Sequence, residues 1–265
     1  MTAPAVAVVT GAARGIGRAL AEQLADRGHE VLLTDIDGAA AQAAADAIGR
    51  GAWAMAHDVR DAAGHRAVAE AATARGPLRV WVNNAGVLFA GEAWEHPDEQ
   101  VDAIVDINVK GVLGGCRAAV GAMGESGGRI LNVASISALT PVPGLALYAA
   151  TKAAVLSFTT SLQGDLDHAG LPIRVRALCP DVVATAMVHD VEKDPGAALL
   201  FAGPKPLDER DVAAAGLALL DSRQLFRVVP RWRGAMVRAG DVLPAVGLKA
   251  VAAMRGMGDR AQAKR

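Results

Sequence analysis

The sequence predicts an α/β fold: a single doubly wound parallel sheet with helices on both faces and a C-terminal helical extension. Three observations carry that expectation. Short β-branched runs alternate with longer Ala-, Leu-, Glu- and Arg-rich segments of helical spacing, and the alternation repeats six times. A glycine-punctuated turn at Gly11, Gly15 and Gly17 follows the first run directly. The composition is that of an ordinary globular chain, 265 residues with 52% hydrophobic and 21% charged.

Taken in order, the strands are expected at residues 5–9, 30–34, 52–57, 78–83, 129–134, 173–179 and 226–229, each a short apolar run bounded by turn residues. Helices are expected at 17–27, 38–48, 61–75, 98–123 and 148–168, where Ala, Leu, Glu and Arg dominate. The Ala-rich stretch 39–47 reads as helix rather than low-complexity linker. Strands joined this way lie parallel with right-handed crossovers. A parallel sheet of this kind opens its ligand crevice at the carboxyl ends of the strands. The residues just after each strand are therefore the candidates for chemistry.

Charge and cysteine content exclude several classes. With 27 Lys+Arg against 28 Asp+Glu, the chain offers no global attraction to a nucleic-acid backbone. Cys116 and Cys179 allow at most one bridge and form no CxxC pair, so neither a disulfide framework nor a zinc site is expected. No histidine, cysteine and carboxylate cluster suggests any other metal, and the six scattered histidines read mostly as surface residues. Residues 1–10 lack the basic region and long apolar run of a targeting segment, and a cytoplasmic protein is expected. The 22 uncharged residues 130–151 are not read as a membrane span, because Asn132, Pro141, Pro143 and Gly144 interrupt them.

The strand ends hold the chemistry. After the first strand stands Thr10-Gly11-Ala12-Ala13-Arg14-Gly15-Ile16-Gly17, a GxxxGxG turn opening a helix. Gly11 permits the tight turn, Gly15 lets backbone approach a pyrophosphate, and Gly17 allows close packing of the helix, whose free amides and dipole face the phosphates. The spacing differs from the GxGxxG of the usual dinucleotide fingerprint, but the physical logic of a Rossmann-type phosphate turn is the same. Asp35, at the end of the second strand, can accept hydrogen bonds from both adenosine ribose hydroxyls and would repel a 2′-phosphate. Arg14 pulls toward that phosphate, but the carboxylate weighs more, so NAD is expected in preference to NADP. Asp58 and Val59 can meet the adenine edge, and Asn83-Asn84-Ala85-Gly86 can bond neighbouring backbone while leaving room for a ribose. Ser135 ends the fifth strand. Tyr148, the only tyrosine, and Lys152 stand i and i+4, on one face of a helix. A free phenol is a poor base near pH 7, and burial alone makes it worse; a neighbouring ammonium and an oxidised nicotinamide favour the phenolate.

These motifs, TGAARGIG at 10–17, NNAG at 83–86, Asn108 within DINVKG, Ser135 and YAATK at 148–152, resemble those of the classical short-chain dehydrogenase/reductase family. The resemblance runs from Thr10 to about Thr185. It implies hydride transfer between a nicotinamide and a carbinol carbon, with Tyr148 as acid/base and Lys152 lowering its pKa and binding the nicotinamide ribose. Ser135 would position the substrate, and Asn108 would anchor a water that links Lys152 to solvent. Gly11, Arg14, Gly15, Ile16, Gly17, Asp35, Asp58, Val59, Asn84, Ala85, Gly86, Tyr148, Lys152 and Thr185 would hold the cofactor, no metal is implied, and a homodimer or homotetramer is expected. One departure stands out: Asp181 follows Pro180 where the family carries glycine. The turn is expected to survive through the tolerance of Asp for positive φ.

One domain over residues 1–265 is expected, with a cofactor-binding core over about 1–180, a substrate lid and helix over about 181–225, and the last strand and basic extension over 226–265. Val142, Leu145, Leu147, Met187, Val188, Leu199, Leu200 and Phe201 would line an apolar pocket, suiting a hydrophobic secondary alcohol or ketone. His189 falls in the lid region. Residues 227–265 carry nine Lys/Arg and two acids, a net +7 that leaves −8 for residues 1–226. Leu243, Val246, Val251, Met254 and Met257 suggest an apolar stripe, bordered by Lys249 and Arg255. A solvated tail, or a helix over the pocket mouth or a subunit, is favoured there over membrane association, because Gly247, Gly256 and Gly258 weaken the helix. Rival readings are an NADP-dependent ketone reductase, a non-catalytic nucleotide-binding or sensing protein, and a methyltransferase. The last leaves Ser135, Tyr148 and Lys152 unexplained.

Overall fold

Seven strands, all paired in parallel, form one sheet: β1 (Val6–Thr10), β2 (Glu30–Asp35), β3 (Trp53–Ala56), β4 (Leu78–Asn83), β5 (Gly128–Val133), β6 (Ile173–Pro180) and β7 (Phe226–Val229). The computed structural model describes residues 4–203, 205–242, 248, 251, 254–258, 260 and 262. The strand order is β3-β2-β1-β4-β5-β6-β7, so the chain reverses its direction of travel across the sheet between β1 and β4. Crossovers on either side of that point lie on opposite faces and leave a crevice above the carboxyl ends of the central strands.

Both faces of the sheet are buried, which explains why its strands read as continuous apolar runs rather than alternating ones. On one face Val9, Val31, Leu33, Val82 and Leu178 pack against helices α1 (Gly15–Asp26), α2 (Gly38–Ile48) and a helix over Glu209–Leu220. On the other, Val8, Leu32, Trp81, Ile130 and Val175 meet α3 (Ala62–Thr73) and the helices that precede and follow β5. Trp81 is fully buried, and burying an aromatic of that size contributes about 2–3 kcal/mol of transfer free energy.

The predicted helix over 98–123 is not one α-helix. It divides into α4 (Asp98–Val105), a π-helical turn (Asp106–Lys110) and α5 (Gly111–Met123). A π turn holds one extra residue and rotates the side chains that follow it. Here it carries Asn108, which is fully buried. The uncharged stretch 130–151 breaks into β5, a 3₁₀ turn (Ile136–Ala138), a loop and the start of α6 (Ala146–His168). No described helix is long and apolar enough to cross a membrane. Beyond β6 come the short α7 (Ala186–Asp190), a 3₁₀ segment (Pro195–Phe201), α8 (Glu209–Leu220), β7 and α9 (Arg231–Val242).

Two expectations need correction. His57 and His65 are not surface residues: they are 5% and 2% exposed, and His57 Nε2 lies 3.2 Å from His65 Nδ1. Burial pulls His57 down to about 4 and lowers His65 as well, so the pair is neutral at pH 7 and packs under the loop after β3. The turn at Asp181 needs no positive φ, since Arg50 is the only non-glycine with one among the described residues. Asp181 instead donates its N–H to Val229 O at 2.8 Å.

Candidate active site

The glycine turn is held by contacts that leave no room for a side chain. Gly11 has φ +62°, and a Cβ there would stand 2.8 Å from Ala85 Cα. A Cβ on Gly17 would stand 2.2 Å from Gly11 O and 2.5 Å from Asn84 Nδ2. Gly17 therefore serves packing of the helix against its own turn more than against the sheet. Asn84 completes the knot, donating from Nδ2 to Thr10 O and Gly11 O at 3.1 and 2.9 Å. Its backbone N–H donates to Thr10 Oγ1 at 3.0 Å. These bonds clamp the ends of β1 and β4 together at the point where the strand order reverses.

That crevice is a cavity of about 960 Å³. Along one arm lie Gly11, Arg14, Gly15, Ile16, Asp35, Asp58 and Val59; at its centre are Asn84, Ala85, Gly86, Tyr148, Lys152 and Thr185. Asp35 is aimed by two backbone donors, Ala13 N–H to Oδ2 at 3.1 Å and Asp37 N–H to Oδ1 at 3.2 Å. Asp58 is engaged by Arg60, whose Nη2 lies 2.6 Å from Oδ2. The Arg60 hydrogen bonds hold the Asp58 carboxyl below its ordinary range. Arg14 is exposed and caps the start of α1 in an extended conformation.

At the centre, Tyr148 and Lys152 rise from the same face of α6. Lys152 Nζ lies 5.5 Å from the Tyr148 ring centroid and donates to Val133 O at 3.0 Å. Burial pushes the Tyr148 phenol up to about 12, against a smaller opposing effect of its hydrogen bond with Ser135. Burial also pulls the Lys152 ammonium down to about 8. Ser135 Oγ accepts from Ser137 N–H at 3.2 Å and thereby caps the 3₁₀ turn. Desolvation of the phenolate therefore dominates over the groups beside it. The arrangement favours a protonated phenol that gives up its proton when further positive charge lies beside it.

The Asn108 side chain is fixed by backbone and hydroxyl partners. Its Oδ1 accepts from Val87 N–H at 2.8 Å, while Nδ2 donates to Val87 O and Thr151 Oγ1 at 2.9 and 3.1 Å. The amide thus clamps the segment after β4 in both directions. A Cβ on Gly86 would sit 3.1 Å from Asn108 Oδ1 and 3.5 Å from Lys152 Nζ, so Gly86 keeps the two polar groups adjacent. Beneath the strand ends runs a buried polar chain: Trp81 Nε1 donates to Asn83 Oδ1, Asn83 to Asn132, and Asn132 to Thr159, at 2.7, 2.8 and 2.9 Å. Sequence reasoning missed this chain, because a strand-end amide says nothing of its cross-strand partner.

The other arm of the cavity is apolar. Val142, Leu145, Met187, Val188, Leu199 and Leu200 line it as predicted, whereas Leu147 and Phe201 do not. Ser137 was missed: its buried Oγ has no hydrogen-bond partner among the described residues and lies on the cavity wall. Met236 and Val237 of α9, with Val251 and Met254 farther on, complete the wall. The described parts of the extension are therefore not a solvated tail. Arg255 Nη2 lies 3.1 Å from Glu92 Oε1, and Gln262 Nε2 donates to Glu192 O and Asp194 O at 2.9 and 3.0 Å. Leu243 and Val246 of the predicted stripe, the bordering Lys249 and the helix-weakening Gly247 lie outside the described residues.

Comparison with known proteins agrees with this geometry. A family model described as short chain dehydrogenase matches residues 5–196. The Mycobacterium tuberculosis oxidoreductase EphD is 39% identical over 186 residues, 68% of this chain and 31% of that protein, so the chain spans about a third of its length. The 3-beta-hydroxysteroid dehydrogenase of Comamonas testosteroni is 37% identical over 185 residues, 69% of this chain and 73% of the other. A crystal structure of a short chain dehydrogenase/reductase from Burkholderia phymatum in complex with NAD superposes with a TM-score of 0.79. It is 30% identical, over 88% of this chain and 91% of that one. Because the family match takes in every strand end from β1 to β6 together with Ser135, Tyr148 and Lys152, the chain belongs to the short chain dehydrogenase family.

Proposed function

We propose that the protein is an NAD-dependent oxidoreductase interconverting a secondary alcohol and its ketone on an apolar skeleton, with Tyr148 as general acid/base. The observation that carries this reading is the meeting of Tyr148, Ser135 and Lys152 on one wall of a cavity whose polar arm is the bare glycine turn. That arm suits a dinucleotide: Gly11 and Gly15 present backbone without side chains, and Asp35 is held facing the cleft. NAD, when bound, supplies the hydride acceptor. In the oxidising direction Tyr148 Oη takes the hydroxyl proton, and in reduction it returns the proton. Ser135 holds the reacting oxygen, Lys152 adds positive charge and a ribose contact, and Asn108 fixes the Val87 segment beside them. The Asp35 carboxylate favours NAD over NADP by repelling a 2′-phosphate. An NAD complex among the structural neighbours and a hydroxysteroid dehydrogenase among the relatives support the cofactor and the alcohol substrate.

The test is a panel of hydrophobic secondary alcohols with NAD and with NADP, read at the reduced-nicotinamide absorbance. Wild type is expected to turn over with NAD in preference to NADP; the reverse preference would remove the role given to Asp35. Tyr148→Phe should lower kcat by about 10³-fold while NADH titrated by fluorescence still binds. Unchanged turnover in that variant would sink the acid/base assignment.

A further inference from the structure

Asp181 has a partner that the sequence did not announce. The residue directly follows β6 at the turn leading toward α7, and its side chain is only 13% exposed. Arg233, in the first turn of α9 and 14% exposed, places Nε 2.8 Å from Asp181 Oδ2. That Nε makes no aligned hydrogen bond, so the contact is a charge pair rather than a directed bond. The guanidinium also lies 5.2 Å from the Trp232 ring centroid, and a Cβ on Gly203 would stand 2.6 Å from Arg233 Nη2. One side chain of α9 thus meets both the residue after β6 and the Gly203 segment.

Both members of the pair line the substrate arm of the cavity, and one turn along α9 stand Met236 and Val237 on the same wall. A mostly buried carboxylate facing an apolar space is costly unless it is paired. Arg233 is the cation that meets this one, and it comes from the element that closes the cavity. We propose that Asp181 and Arg233 are positioning residues, a strut that fixes α9 as a wall of the substrate arm and so favours bulky apolar secondary alcohols over small ones. The inference rests on the dehydrogenase reading given above. It adds that the residue standing in place of the family's glycine helps to choose the substrate.

The experiment compares kcat and KM for 2-butanol and decahydro-2-naphthol, with NAD, in wild type, Asp181→Asn, Arg233→Gln and the charge-reversed double variant Asp181→Arg/Arg233→Asp. Each single variant should lower the bulky-to-small ratio of kcat/KM about tenfold, mainly through KM of the bulky alcohol. The reversed pair should recover most of that loss. Unaltered ratios in the single variants would overturn the strut. Hydrogen exchange of the α9 amides is measured alongside: it should quicken in Asp181→Asn and slow again in the reversed pair, and unchanged exchange would also overturn it. A wild-type enzyme inactive on every alcohol would count against the dehydrogenase reading, while the exchange data would still decide the strut.

Discussion

Lys152 is an expensive residue to keep. It is 4% exposed, and burial pulls its ammonium down to about 8. An unfolded lysine holds its proton more tightly than this one does. Stability is therefore penalised at pH below about 8, and the penalty is relieved as pH rises from there into the ordinary lysine range. Replacing the cation by an apolar group of similar length removes the penalty but leaves Val133 O without its donor. Lys152→Met is accordingly expected to gain about 1–2 kcal/mol of stability at pH 7. Urea denaturation at several pH values should show the gain shrinking above pH 8, and turnover should collapse in the same variant. A stability gain paired with lost activity marks a residue kept for chemistry. The spacing of Tyr148 and Lys152 was legible in the sequence, because i and i+4 on a helix admits one geometry. The shift of the phenol to about 12 was not, because it depends on how much surrounding protein excludes water.

Among the elements, the turn between β1 and α1 shows what local pattern conveys. GxxxGxG announced a tight turn and a helix start. Part of the reason for Gly17 lay in a distant residue, since the Asn84 side chain, which bonds Thr10 and Gly11, stands beside Gly11 O in the space that a methyl group on Gly17 would need. Gly17→Ala is expected to cost about 1–3 kcal/mol, because the obstructing atoms include a backbone oxygen that cannot rotate away. Thermal denaturation measures the cost, and an NADH titration should show weaker binding as the turn is displaced. The π turn at Asp106–Lys110 was hidden for a similar reason. Nothing in its local spacing marks the extra residue, and the bonds of the buried Asn108 to Val87 tie the turn to the segment after β4. Strands and helices were readable from periodicity; their interruptions depend on tertiary partners.

For the molecule as a whole, strand order and the position of the crevice followed from strand and helix alternation, which allows few topologies once the crossovers are right-handed. The closing wall did not follow, because Met236, Val237, Val251 and Met254 belong to a segment whose glycines and charges read equally well as solvent-facing. The cavity reaches from the glycine turn to that wall, so a dinucleotide in it would bridge both halves of the sheet and stabilise them together. NADH at about 100 times its Kd should add about 2.7 kcal/mol to folding, a rise of roughly 5–10 °C in Tm. The same concentration of NADPH should give a smaller rise, and an equal one would remove the case for Asp35 as the selector. Finally, with one tyrosine in 265 residues, fluorine-labelled tyrosine would yield a single resonance, and its chemical shift would titrate the Tyr148 phenol directly, with no assignment needed, as cofactor, inhibitor or acidity is varied.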